Sequence, residues 1–297
     1  MRNRLIAVCA AVLLALTGCT PEATQPAASG LPSFTIADFP RMDGSVDGIP
    51  LAAALLQRLA GASADEADML CDFSTMAVAY RGLVMETGPS LLLAYEPDQD
   101  TKESIAAAGV ELEYQLIGKD ALVFVTDRAN PVTGMAADQF KAIYTGAITD
   151  WKALGGSDHP IIAYQHPEGS SSQALLQKLV SEGAELAKAP AEPYVSAGKV
   201  VDGPASYVNS ADALGYTTHY YFANMWDMPE AKTLAVDGVM PSSETISDGS
   251  YKFASDFYAV FRASEPADSP VRKLVSWLQS PEGAQLVTEA GYISLIK

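Results

Sequence analysis

Residues 161–180, IIAYQHPEGSSSQALLQKLV, decide how this chain is to be read. A short apolar strand at 161–165 leads into a polar loop, and the loop opens an amphipathic helix expected over 173–182. The helix start carries three successive hydroxyls, Ser170, Ser171 and Ser172. Backbone N–H groups at a helix N-terminus lack intrahelical partners and stand at the positive end of the macrodipole, so hydroxyls and a glycine placed there can wrap a small anion. Serines are also ordinary N-caps, so one such start does not make a site. The pattern recurs, however. Asp43-Gly44-Ser45-Val46-Asp47-Gly48-Ile49-Pro50 leads into the apolar run 51–59, and Phe73-Ser74-Thr75 leads into 76–85. Three helix starts with the same chemistry point to one oxyanion site.

Arg2 and Arg4 precede the apolar run 5–16, and Leu16-Thr17-Gly18-Cys19 follows it. This is a signal-peptide pattern, too short for a membrane span. It resembles a bacterial lipobox. The resemblance implies a signal over 1–18, lipidation of Cys19, a membrane anchor on the extracytoplasmic face, and a Pro-, Ala- and Thr-rich tether over 19–32. Cys9 would leave with the signal, which makes Cys71 the other thiol of the mature chain and forbids an intrachain disulfide. A lone Cys is expected as a small buried hydrophobe, and stability must come from core burial.

The formal net charge of −17 over 297 residues argues against nucleic acid as a partner. It does not exclude an anion, because short-range donors in a closed cleft outweigh a diffuse field that salt screens within ~8 Å. His159, His166 and His219 are the histidines of the chain; they lack close ligand spacing and no Cys pair accompanies them, so neither metal nor cofactor is expected. Gly169-Ser170-Ser171-Ser172 lacks a G-x-S-x-G elbow, which leaves a serine hydrolase as the alternative from another class and a non-enzyme as the reading.

Strands read at 90–95, 121–126, 161–165, 213–217 and 257–261. Helices read at 51–59, 76–85, 101–108, 137–144, 173–182, 205–208 and 271–279. The alternation means an α/β fold, with ligands where strand ends meet helix starts.

Several segments in chain order resemble the PstS-type phosphate-binding lipoproteins of ABC importers, within the type II periplasmic binding fold. They are Asp43-Gly44-Ser45, Leu93-Ala94-Tyr95-Glu96-Pro97, Ile117-Gly118-Lys119-Asp120-Ala121-Leu122-Val123-Phe124, Ile143-Tyr144-Thr145-Gly146-Ala147-Ile148-Thr149-Asp150-Trp151, Ala213-Leu214-Gly215-Tyr216-Thr217, and the stretch from Ser280-Pro281-Glu282-Gly283 to Ala290-Gly291-Tyr292. The resemblance implies two lobes joined by crossing hinge strands around a central cleft. Lobe I would combine 33–118 with 255–297, and lobe II would hold 119–254. The implied function is capture of phosphate or a related oxyanion by a monomer that delivers it to an ABC permease; the alternative is a receptor or sensor for another small anion, uncoupled from transport.

Carried over by position, the resemblance assigns Ser45, with the backbone of Val46 and Asp47, to the first anion loop and Ser74 or Thr75 to the second. Ser170, Ser171 and Ser172 match the hydroxyl loop, and Glu168 its neighbouring acid. Glu96 matches the acid that accepts the proton of a protonated phosphate and repels fully ionised sulfate. Two positions depart. His166 stands where the family has an arginine, and His219 occupies a second position that resembles a basic one. If His166 contacts the anion, protonation near an ordinary pKa of ~6.5 would tighten binding as pH falls.

Overall fold

The computed structural model describes residues 31–85, 88–189, 211–225 and 229–295. The expected signal, Cys9, Cys19, the tether up to residue 30 and the helix expected at 205–208 lie outside the described residues. Pro32–Lys297 form one compact unit. Its described elements run β1 (Met42–Gly44), a 3-10 turn (Val46–Gly48), α1 (Ile49–Ala60), α2 (Ala64–Leu70), α3 (Met76–Val84), β2 (Leu91–Ala94), α4 (Gln99–Ala108) and β3 (Leu112–Asp127). There follow β4 (Gly134–Met135), α5 (Ala137–Tyr144), β5 (Ile162–Ala163), α6 (Ser171–Leu176) continued by a π turn (Gln177–Ser181), β6 (Ala213–Thr218), β7 (Ala231–Thr233) and β8 (Ala235–Val236). The last are α7 (Ser243–Ser247), β9 (Ala254–Arg262), α8 (Pro270–Leu278) and α9 (Pro281–Glu289).

Local chemistry explains the helix bounds. Pro50 stands in the first turn of α1, where its missing N–H matters least, and Gly61 ends the helix with a left-handed φ of 67°. Leu51, Leu55, Leu56 and Leu59 form its buried stripe. Serines cap the later helices: Ser170 accepts from Gln173 N, Ser269 from Arg272 N and Ser280 from Gly283 N.

The strand order β1-β2-β9-β3-β6-β5, with β7 also on β3, puts the two long strands at the centre. β3 changes partner along its length. Leu112 to Ala121 pair with β9, and Leu122 to Val125 then pair with β6. The register shifts between Leu116 and Gly118, and Lys119 N donates to Ile293 O at 2.8 Å just beyond the irregularity. This continuous strand serves both lobes of the α/β fold.

Aromatic rings pack in two runs within one continuous core. Around the far end of β3, Phe124 stacks on Phe140 at 4.1 Å, with Tyr144, Tyr216 and Phe253 at 5.7–6.2 Å. Tyr95, Phe257, Tyr292 and Tyr220 form a second run with successive centroid separations of 5.0, 5.0 and 4.1 Å. Such pairs add about 0.5–1.5 kcal/mol each beyond area burial. Cys71 is buried with a free thiol, and burial together with the Asp68 charge pushes its pKa up to about 11. It is a packing residue.

Candidate anion-binding site

The first loop turns at Gly44, whose φ of 141° suits glycine. Ser45 N then donates to Leu93 O at 2.9 Å, fastening the loop to β2. Ser45 is buried and caps the 3-10 turn, its hydroxyl donating to Asp47 Oδ2 at 2.9 Å. Val46, the first residue of that turn, is partly exposed.

The second start is held by an acid. Ser74 donates through its backbone N–H and its hydroxyl to the Asp43 carboxylate, at 2.8 and 2.7 Å. Thr75 stands exposed at the N-cap position of α3 and makes no side-chain capping bond. At the third start, the Ser170 hydroxyl donates to Pro167 O at 2.8 Å while accepting from Gln173 N. Ser171 is buried, and Ser172 is partly exposed in the first turn of α6.

The three starts meet. Asp43 ties the first to the second. Ala77 N, in the first turn of α3, donates to Gly169 O at 3.1 Å and ties the second to the third. Ser171 Oγ donates to Ser45 Oγ at 2.7 Å and closes the ring across 126 residues of sequence. Two hydroxyls and the starts of three helical segments therefore share one place, the donor set that a small oxyanion needs.

Two buried acids stand behind this ring. Asp47 and Asp120 are 3% and 1% exposed, and Tyr95 OH lies 3.3 Å from Asp47 Oδ2 and 2.6 Å from Asp120 Oδ2. Burial holds the Asp47 pKa above the usual carboxylate range, against hydrogen bonds from Ser45, Thr218 and Tyr95. Burial and then the charge of Asp47 push Asp120 up to about 7, although Tyr95 and the backbone of Ala121 and Tyr220 oppose the shift. Tyr292 OH donates to Asp47 O, which ties the stretch after α9 to the first loop.

A match to the PBP superfamily domain spans residues 87–282. The chain belongs to the PBP superfamily. Among curated relatives of this PBP-superfamily chain, the phosphate-binding protein PstS of Bacillus subtilis (strain 168) is 27% identical over 199 residues, a match covering 65% of this chain and 61% of the relative. The phosphate-binding protein PstS of Borreliella burgdorferi is 24% identical over 201 residues, covering 66% and 69%. Among solved structures, an ABC-type phosphate transport receptor from Vibrio cholerae superposes with a TM-score of 0.64 at 19% identity, covering 85% of this chain and 98% of the other. A Clostridium perfringens protein assigned as a phosphate ABC transporter substrate-binding protein, solved with bound phosphate, gives 0.61 at 24% identity, with coverage of 85% and 98%. These superpositions establish the two-lobed fold.

Within this PBP-superfamily fold, some expected residues stand apart from the ring. Glu96 follows β2 but is half-buried in ion pairs with Lys178 at 3.0 Å and Lys102 at 3.3 Å. Burial raises its pKa, yet the hydrogen bonds and charge of the two lysines outweigh this and hold it below the usual range. Its oxygens are committed to lysines, and the acids joined to the hydroxyl ring are Asp43, Asp47 and, through Tyr95, Asp120. Glu168 is exposed. His219 is half-buried, and burial lowers its pKa. A groove of about 950 Å³ beside the serine loop is lined by Lys102, His166, Gly169, Gln173 and Lys178, among others.

The His166 expectation is corrected. Its Nε2 lies 2.9 Å from Tyr216 O, and its backbone N donates to Tyr216 OH at 2.9 Å. A carbonyl only accepts, so Nε2 carries the proton of a neutral ring. Burial pushes the pKa down to about 4, which leaves no charge to gain between about pH 8 and 6. The linkage therefore falls on stability at lower pH. The unfolded chain binds a proton at its ordinary pKa of ~6.5 and the folded one does not, so stability is lost as pH falls through that window. His166→Gln should lessen the fall of melting temperature below about pH 6 and leave the pH dependence of anion binding above about pH 6 unchanged. A binding slope that moved with this substitution would return His166 to the charge-bearing role.

Sequence reasoning overlooked Asp120, Tyr95, Tyr292 and Asp43 as parts of the site, although all four lie inside or beside the quoted segments. A signal for two of them was available. Tyr95 ends the apolar run 91–95 and Asp120 immediately precedes the run 121–125, so each sets a polar group against a buried strand.

Proposed function

We propose that this chain is an extracytoplasmic solute-binding component that captures phosphate or a related small oxyanion for an ABC importer. The observation that carries the reading is the Ser171–Ser45 hydrogen bond at 2.7 Å, which joins the hydroxyls of separate helix starts. Relatives named for phosphate binding support it. Lobe I is taken as 33–118 with 255–297 and lobe II as 119–254, in keeping with the switch of β3 from β9 to β6 after Ala121. Cys19 is the proposed lipid anchor on the extracytoplasmic membrane face, the ABC permease subunits are the proposed partners, and the binding form is a monomer.

Binding rather than turnover fits the serine geometry. Ser170 directs its hydroxyl to Pro167 O and Ser171 to Ser45, while the His166 Nε2 faces Tyr216 O. Selectivity against sulfate would come from a carboxyl group joined to the ring: it can pair with a P–OH, whereas sulfate offers no proton.

Calorimetric titration of the protein from residue 33 onward tests the proposal, with phosphate, sulfate, molybdate and a phosphomonoester as titrants. Saturable 1:1 heat with phosphate, absent with sulfate, is the expected result. A neutral His166 also favours a second reading, a receptor for an oxyanion of lower charge that feeds no transporter. Saturation by another anion, with no heat from phosphate, would select it. Release of product from the phosphomonoester would overturn both in favour of a hydrolase.

A further inference from the structure

We propose that Asp120, acting through Tyr95 and Asp47, sets the charge of the anion site by taking up a proton when the anion binds. The proposal rests on reading the Ser45–Ser171 ring as that site. The geometry is a chain of oxygens. Ser171 Oγ donates to Ser45 Oγ at 2.7 Å, Ser45 Oγ donates to Asp47 Oδ2 at 2.9 Å, and Tyr95 OH joins Asp47 Oδ2 at 3.3 Å to Asp120 Oδ2 at 2.6 Å.

Counting protons along it fixes the resting state. A phenol has one proton to donate, and the shorter contact commits that of Tyr95 to Asp120. The approach of the Tyr95 oxygen to Asp47 is then satisfied by a proton on Asp47. Asp120 also accepts from Ala121 N at 2.8 Å and Tyr220 N at 2.9 Å, so three donors converge on it. It is the ionised member, and the pair holds one proton and one charge.

The titratable groups around the pair are Tyr95 after β2, Tyr220 after β6 and Tyr292 after α9, and burial keeps all three phenols neutral by raising their pKa values. Among the described residues, no lysine or arginine forms an ion pair with Asp47 or Asp120. A proton is therefore the local means of neutralising the pair.

An oxyanion seated on the ring draws the Ser45 and Ser171 hydroxyls toward itself. Asp47 loses the Ser45 donor, and a new negative charge stands in front of the acids. The new charge disfavours ionised Asp120, which takes a proton from the solvent buffer and leaves the buffer base behind. By linkage, affinity falls as pH rises through the range in which the pair titrates. Burial raises both acids, Asp120 to about 7, so the range in which the pair titrates as a unit lies near neutrality. Asp120 is a positioning residue: it is 1% exposed and acts through Tyr95 and Asp47.

The test is phosphate titration of the compact unit, from residue 33 onward, in two buffers of different ionisation enthalpy. Wild type is compared with Asp120→Asn near pH 7. Protonation of phosphate itself contributes equally to both proteins, so the difference in protons taken up belongs to the pair. Wild type should take up about half a proton more, and from about pH 6.5 to 8.5 its affinity should fall up to about tenfold further than that of the variant. Equal proton numbers overturn the proposal. Should Asp120→Asn not fold, Tyr95→Phe cuts the same link while keeping both acids. A changed proton number in that variant supports the coupling, and an unchanged one overturns it. Wild type giving no saturable heat with phosphate would instead remove the phosphate reading on which the proposal stands.

Discussion

Gly44→Ala should lower the melting temperature by about 10 °C and weaken phosphate binding by about 100-fold or more. A Cβ at this position would overlap the backbone carbonyl of Leu93. That carbonyl is part of β2 and accepts the Ser45 N–H, so it cannot yield as a flexible side chain would. The φ of 141° adds strain for any residue with a Cβ. Relief requires the first loop to leave β2, carrying Ser45 away from Ser171 and Asp47 from Tyr95. Loss of about 3–5 kcal/mol of stability is expected from the combined clash and strain. Thermal unfolding and calorimetry on the same preparation check both halves, and a variant with wild-type melting and affinity would show that the first loop is not held as described.

Ser45→Ala and Ser171→Ala should each weaken phosphate binding about tenfold or more. A ligand oxygen left without its donor in a closed site costs about 1–3 kcal/mol. The double variant should lose less than the sum of the two. The two hydroxyls bond to each other at 2.7 Å, so the first substitution already removes that mutual contact. Losses that add fully would mean that the hydroxyls serve different ligands or none. Ser74→Ala makes a useful contrast, because its hydroxyl is committed to Asp43 and its loss acts through the position of the loop.

What the sequence made legible follows a physical line. The helix expected at 137–144 is found as α5, Ala137–Tyr144, because Ala137, Phe140, Ile143 and Tyr144 recur at helical spacing and all are buried. The helix expected at 173–182 starts two residues earlier, at Ser171, and changes to a π turn after Leu176. α2 was not expected: in its seven residues Ala67 is the one buried, so there is no apolar period to read, although the Ser63–Glu66 capping box was visible. The first half of β3 was hidden because Glu113, Gln115 and Lys119 interrupt its apolar run. Within the site, hydroxyls next to helix starts are local signals and could be read. The pairing of Asp47 with Asp120 through Tyr95 joins a 3-10 turn, the middle of β3 and the residue after β2, all distant in sequence, and Tyr292 reaches Asp47 from 245 residues away. No local pattern carries such contacts. Glu96 and His166 were placed by resemblance, and no local pattern shows the partners, Lys178 and Tyr216, that the fold brings to them.

The place of β9 in the sheet bears on the order in which the molecule can be made. β9 lies between β2 and β3, so until residues 254–262 have been synthesised both of those strands present an open hydrogen-bonding edge. Leu92, Leu93 and Ala94 await Val260, Ala259 and Tyr258, and nothing earlier in the described chain takes that side of β2. Pairing across such a separation is slow, and the half-built sheet exposes the apolar strand Leu91–Ala94. A nascent chain therefore stays unfinished until late in translation. That delay leaves the apolar segment around β2 without its β9 partner through most of synthesis.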